Sequence, residues 1–136
     1  MPVCVLDASV TLAALIEEER SAEAREILRA VIDDSAVVPG LWFLEVGNVL
    51  LIAERRRSLT AAARRDHLDD LSRLPIVIDN ETAGHAWHET MEHAVAHRLT
   101  LYDAAYLELS LRRQLPLATF DTALRRAAAA AGVGLV

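Results

Sequence analysis

The sequence contains no lysine; all 14 of its basic residues are arginine. That absence excludes a P-loop, whose Gly-Lys-Ser/Thr core needs a lysine on the phosphates. It also counts against phosphotransfer sites that combine a strand-end aspartate with a lysine. No G-x-G-x-x-G is present, which removes the simplest dinucleotide-binding reading. Cys4 is the single cysteine, so no intrachain disulfide can form and a reducing compartment is expected. No apolar run approaches the roughly 18 residues of a membrane span. No cationic, apolar leader of the secretory kind is evident. The expectation is a cytoplasmic protein with no membrane association.

What is present fits one folded unit. The 136 residues, 53% hydrophobic and 25% charged, can bury a real core, and a single domain spanning 1–136 is expected. The net charge of −6 argues at first against a nucleic-acid partner. The objection weakens if several acids surround a divalent cation, which would neutralise them locally. The arginines cluster as Arg55-Arg56-Arg57, Arg64-Arg65, Arg112-Arg113 and Arg125-Arg126. Their forks suit phosphate or carboxylate contacts, although solvated helix faces account for most such clusters.

The first ten residues organise the rest. Pro2-Val3-Cys4-Val5-Leu6 is an apolar run that stops at Asp7 and breaks into a helix over Val10–Glu17. A run apolar on both faces reads as a central strand of a parallel sheet. Asp7 then stands at the strand's carboxyl end, where open α/β sheets place their ligand crevices. Ser21–Asp33 reads as a second helix and Ala36-Val37-Val38 as a strand closed by Pro39-Gly40. Leu41–Arg57 is a strongly apolar helix with Glu45 and Asn48 inside it. Burying Glu45 among apolar residues requires an arginine, hydrogen-bond donors or a metal ion to compensate it. Thr60–Leu74 is an amphipathic helix, capped by Thr60 and ended by Pro75. Ile76-Val77-Ile78 is the next strand.

Thr82–His97 reads as one helix carrying His85, His88, His93 and His97. Those spacings put imidazoles in pairs on a helix face, yet no cysteine or carboxylate pattern completes a zinc site. The next helix runs from about Leu101 to Gln114, with Asp103 near its first turn, a position the helix dipole favours for an acid. Pro116–Asp121 repeats the opening logic of an apolar run, a small hydroxyl residue and then an aspartate. It leads into a helix over Thr122–Ala131 stopped by Gly132. Gly134-Leu135-Val136 is expected to add a final edge strand.

Alternating strands and helices favour a three-layer αβα sandwich around a mostly parallel central sheet, with right-handed connections. In that arrangement Asp7, Glu45, Asp103 and Asp121 converge at one edge. Four carboxylates in one place repel, so some stay protonated unless a cation compensates them. An oxygen-only set suits a hard ion, Mg²⁺ or Mn²⁺. Phosphodiester hydrolysis is the reaction that most needs such equipment.

Taken in order, Val5-Leu6-Asp7-Ala8-Ser9, Leu44-Glu45-Val46-Gly47-Asn48, Leu101-Tyr102-Asp103-Ala104-Ala105-Tyr106 and Leu117-Ala118-Thr119-Phe120-Asp121 resemble the PIN domain. More narrowly, they resemble VapC-type toxins of type II toxin–antitoxin systems. The resemblance covers essentially the whole chain. It implies that Asp7, Glu45, Asp103 and Asp121 are metal-binding and catalytic. It also implies that Ser9, Asn48 and Thr119 hold carboxylates or water around them. The implied activity is Mg²⁺- or Mn²⁺-dependent endoribonuclease cleavage of RNA, leaving a 3′-hydroxyl and a 5′-phosphate. The implied partners are a cognate VapB-type antitoxin and a second copy in a homodimer. Some PIN domains carry a further acid after the last aspartate; Thr122, Ala123 and Leu124 offer none here. The same carboxylates would also serve a phosphohydrolase or nuclease on another substrate. A non-catalytic binding module of this fold would show loss of one or more of the acids, and all four are present.

Overall fold

The computed structural model describes all 136 residues. Four short strands form one sheet in the order β3-β2-β1-β4, and every pairing is parallel. They are β1 (Val5–Leu6), β2 (Ala36–Pro39), β3 (Ile76–Asp79) and β4 (Leu117–Ala118). Eight helices connect and cover them: α1 (Ala8–Leu15), α2 (Ser21–Asp33), α3 (Leu41–Arg55), α4 (Ala61–Ser72), α5 (Thr82–His85), α6 (Glu89–His97), α7 (Leu101–Arg113) and α8 (Thr122–Ala131). This is the expected layered α/β sandwich with β1 inside the sheet.

Both residues of β1 and all four of β2 are buried, which explains their unalternating apolar character. Val5 pairs with Val37 on one side and Leu117 on the other. β3 forms one edge, and Val77 and Ile78 are exposed there. α2 is amphipathic in the ordinary way, burying Ala24, Ile27 and Val31 while its charged residues face water. α7 differs: Ala104 through Ser110 are all buried, because the helix lies over β1, β2 and β4 and is flanked by α6 and α8. Each large apolar side chain buried this way contributes roughly 1.5–3 kcal/mol. Asp103 rides on the first turn of this buried helix.

Several expectations change on meeting the fold. The strand expected over Pro116–Asp121 is only Leu117–Ala118; Thr119 and Phe120 leave the ladder and Asp121 caps α8. Gly134–Val136 adds one isolated bridge, Leu117 to Leu135, rather than a strand. The helix expected over Thr82–His97 divides at Ala86–His88 into α5 and α6. The strongly apolar α3 does not surround Glu45 and Asn48 with buried side chains. It buries Trp42, Val46 and Leu50, whereas Phe43, Leu44, Val49 and Leu51 are exposed.

Candidate active site

The carboxyl edge of the parallel sheet is where strand ends and helix starts bring acids together. Asp7 follows β1 and occupies the N-cap position of α1, but its side chain does not cap. Oδ2 instead accepts hydrogen bonds from Ser9 Oγ at 2.6 Å and Thr119 Oγ1 at 2.7 Å. The two hydroxyls lie 3.3 Å apart, so α1 and the segment after β4 meet on one carboxylate oxygen. Ser9 Oγ also accepts from the Phe120 N–H at 3.0 Å, and Thr119 Oγ1 from the Asp121 N–H at 3.1 Å. Arg125 Nη1 donates to the Thr119 carbonyl at 2.8 Å, which holds this turn from the α8 side. Ser9 and Thr119 thus both touch Asp7 directly.

Glu45 reaches the same edge from α3. The start of α3 is tied to α1 where Trp42 Nε1 donates to Thr11 Oγ1 at 3.1 Å. Tyr106 Oη then donates to Glu45 Oε1 at 2.5 Å, linking residues 61 apart in the chain. Tyr106 is fully buried and lies three residues after Asp103 on α7. The hydrophobic pattern of that segment treats Tyr106 as core; nothing local in the sequence marks its hydroxyl as the partner of Glu45. Asn48, by contrast, is exposed and bonds to none of the acids. With Glu45, Leu41, Leu44 and Tyr102 it lines a shallow cavity of about 380 Å³.

Asp103 lies in the first turn of α7, whose N-cap Thr100 accepts the Asp103 N–H at 3.1 Å. Asp121 caps α8 by accepting the Leu124 N–H at 2.8 Å. No cation pairs with any of the four acids; every ion pair in the protein involves other carboxylates. The consequence is visible in their acidities. Burial raises the pKa of Asp7, only partly offset by the bonds from Ser9 and Thr119. Burial likewise raises Glu45, against the Tyr106 bond and with the charges of Asp7 and Asp103 adding to the rise. Asp103 is pushed up to about 6, first by burial and then by the charges of Asp121 and Asp7. The charges of Asp7 and Asp103 thus bear on Glu45, and those of Asp121 and Asp7 on Asp103, at a single edge.

They do not close into a ready cage. No three His, Cys, Asp or Glu side chains converge closely enough to hold an ion among them. This applies equally to the histidines of α5 and α6: His85 pairs with Glu89, and His93 stacks on His97. The acid edge nevertheless fits a hydrated hard cation. Its donors are all oxygen, it carries uncompensated negative charge, and Mg²⁺ needs only one or two carboxylates with waters at its other positions.

A parallel sheet with acids gathered at its carboxyl edge is the layout of a PIN domain, and residues 4–130 match that family; the chain belongs to it. Ribonuclease VapC1 of Mycobacterium tuberculosis is 32% identical over 128 residues, which span 93% of this chain and 92% of that protein. Among solved structures, PAE2754 from Pyrobaculum aerophilum superposes with a TM-score of 0.70 at 25% identity, covering 93% of this chain and 79% of that one. VapBC2 from Rickettsia felis, solved bound to a DNA fragment from their promoter, shares the fold with a TM-score of 0.65 at 13% identity. That match covers 97% of this chain and 96% of its counterpart.

Proposed function

We propose that this chain is a VapC-type endoribonuclease toxin acting as a single domain over residues 1–136. It hydrolyses RNA phosphodiester bonds with Mg²⁺ or Mn²⁺ held by Asp7, Glu45, Asp103 and Asp121. One observation carries the reading: four acids share an edge, the charges of Asp7, Asp103 and Asp121 help raise Glu45 and Asp103, and no arginine pairs with any of them. Leaving carboxylates raised and unpaired costs stability, and that cost is explained if a divalent ion and a phosphate meet there. The 32% identity to a protein named a ribonuclease supports RNA as the substrate.

When bound, the ion supplies positive charge for the phosphoryl oxygens and lowers the pKa of water. The chain's own residues do the rest. Ser9 and Thr119 fix the rotation of Asp7, so one of its oxygens is committed and its direction is set. Tyr106 fixes Glu45 in the same way and leaves Oε2 free of protein partners. Asp103, in the first turn of α7 where the helix dipole favours its charge, adds a carboxylate to the set that would hold the ion. Asp121 contributes charge at the rim. Asn48, exposed beside Glu45, is free to bond substrate or water.

No helix is long and apolar enough to cross a membrane, and the cytoplasm is the proposed location. A cognate antitoxin and a second copy of the chain are the proposed partners; the apolar side chains left uncovered on α3 are available to them. The decisive test is cleavage of total RNA by the purified protein. EDTA should abolish it, Mg²⁺ or Mn²⁺ should restore it, and Asp103→Asn should lower it at least about 100-fold without unfolding the chain. Cleavage that persists in excess chelator, or an equally active variant, would reject the reading.

A further inference from the structure

Beside the acid edge the structure holds a flat, fixed cation. Arg20 precedes α2, and its guanidinium lies over the Phe120 ring with Cζ 3.9 Å from the ring centroid. Glu23 holds the same group from one turn along, accepting from Nε at 3.0 Å and from Nη2 at 2.9 and 3.0 Å. With those donors occupied and its charge matched, Arg20 is poorly placed to bind a backbone phosphate. Its plane, however, is held at one tilt, and its side chain remains 35% exposed.

This platform is joined to the carboxylates through the chain itself. Phe120 lies between Thr119, which donates to Asp7, and Asp121, and its own N–H is bonded to Ser9. A shallow cavity of about 210 Å³ runs alongside, lined by Ser9, Leu12, Ala13, Ile16 and Glu18. It reaches from Ser9, in contact with Asp7, to Glu18, whose carboxylate accepts the Arg20 N–H. A planar surface, an adjoining recess and a bond-breaking edge thus lie in sequence.

We propose that Arg20 and Phe120 form a base-stacking subsite that seats one unpaired nucleobase of a single-stranded nucleic acid beside the bond to be cut. The inference rests on the nuclease reading above and adds how the strand is placed. Unpaired bases stack on aromatic rings and on arginine planes, and every base has a face to offer. With a net charge of −6, the protein gains little general affinity from phosphates, so a stacked base counts for more. The subsite sets the register of the strand over the carboxylates rather than reading a sequence.

The test is anisotropy binding of a fluorescein-labelled 12-nucleotide RNA to the full chain in EDTA, with the same strand carrying one abasic position moved along it. For the wild type, one abasic position should weaken binding roughly 5- to 100-fold. Arg20→Lys, which keeps charge but not the plane, should weaken the intact strand similarly and make that position silent. The slope of affinity against salt should not change. Phe120→Leu should act like Arg20→Lys, with circular dichroism reporting a retained fold. A deoxy strand giving the same profile identifies the base, rather than the sugar, as the ligand. A flat abasic profile or wild-type affinity in Arg20→Lys would overturn the subsite. A wild type that neither binds nor cleaves RNA or DNA would instead sink the nuclease reading itself.

Discussion

Two groups of acids sit at the two ends of α7, nine residues and about 14 Å apart along its axis, and they have opposite fates. At the first turn Asp103 joins Asp7, Glu45 and Asp121 with no cation. At the last turn Arg112 gathers three carboxylates. Its Nη2 and Nη1 donate to Asp79 at 2.8 and 3.0 Å, its Nε and Nη2 to Glu108 at 2.8 and 3.0 Å, and its Nη1 to Glu81 at 3.3 Å. Asp79 and Glu108 are almost wholly buried. Burial alone would raise the pKa of Asp79, but the bonds from Arg112 and Thr82 and the charge of Arg112 outweigh it and leave it lowered. Arg112 is raised in turn, chiefly by its bonds to Asp79 and Glu108. The same residue type thus ends up paired or unpaired according to whether the fold brings its own counter-charge. At the acid edge no arginine supplies one.

This contrast can be broken experimentally, and the largest effect lies at the structural end. Arg112→Ala strands two buried carboxylates and should cost about 3–5 kcal/mol of stability, read as a fall in the urea midpoint. Asp103→Asn should leave that midpoint unchanged or slightly raised, since it relieves repulsion. If both variants lose similar stability, the two groups of acids are not different in kind.

Adding cation should sharpen the difference next. Mg²⁺ or Mn²⁺ at a hundred times its Kd should stabilise the wild type by about 2.7 kcal/mol. Asp7→Asn should lose most of that gain, and Asp79→Asn should keep it even though it lowers the starting stability. A gain equally large in Asp7→Asn would place the ion elsewhere.

The smallest effect is in the pH profile, where the two ends should slope in opposite directions. Asp7, Glu45 and Asp103 have raised pKa values, so the folded chain binds more protons than the unfolded one between about pH 4 and pH 6. Stability should fall as pH rises through that interval, and saturating Mg²⁺ should flatten the fall. Asp79 has a lowered pKa, so its contribution is complete above about pH 4 and is lost as pH drops below, with or without the ion. His85, raised by its bond to Glu89, adds a decline above about pH 6.5 that the ion should leave alone. Melting temperatures across pH 3–8, with and without Mg²⁺, separate these limbs. A fall between about pH 4 and pH 6 that is indifferent to the ion would count against the acid edge as its site.

Much of this was legible residue by residue. The unalternating run of β1 and β2, the amphipathic pattern of α2 and the breaks at Pro75 and Gly132 are local signals, and each became the element expected of it. Asp7, Asp103 and Asp121 were conspicuous as acids where apolar segments begin or end. The break at Ala86–His88 was not legible, because no proline or glycine stands at it and the helical pattern continues across. The exposure of Phe43 and Leu44 was not legible either, since an apolar residue carries no mark of which face its helix will turn outward.

By itself the sequence determined the alternation of strands and helices, hence a parallel sheet with a carboxyl edge, and placed acids at the segment boundaries that such a sheet collects there. Only the tertiary structure decided which acids are neutralised. Tyr106 meets Glu45 across 61 residues, Thr119 meets Asp7 across 112, and Arg112 meets Asp79 across 33. Periodicity reports on neighbours within a turn or two of the chain. A charge is balanced by whatever lies beside it in space, and the packing of α7 across the sheet is what fixes those neighbours.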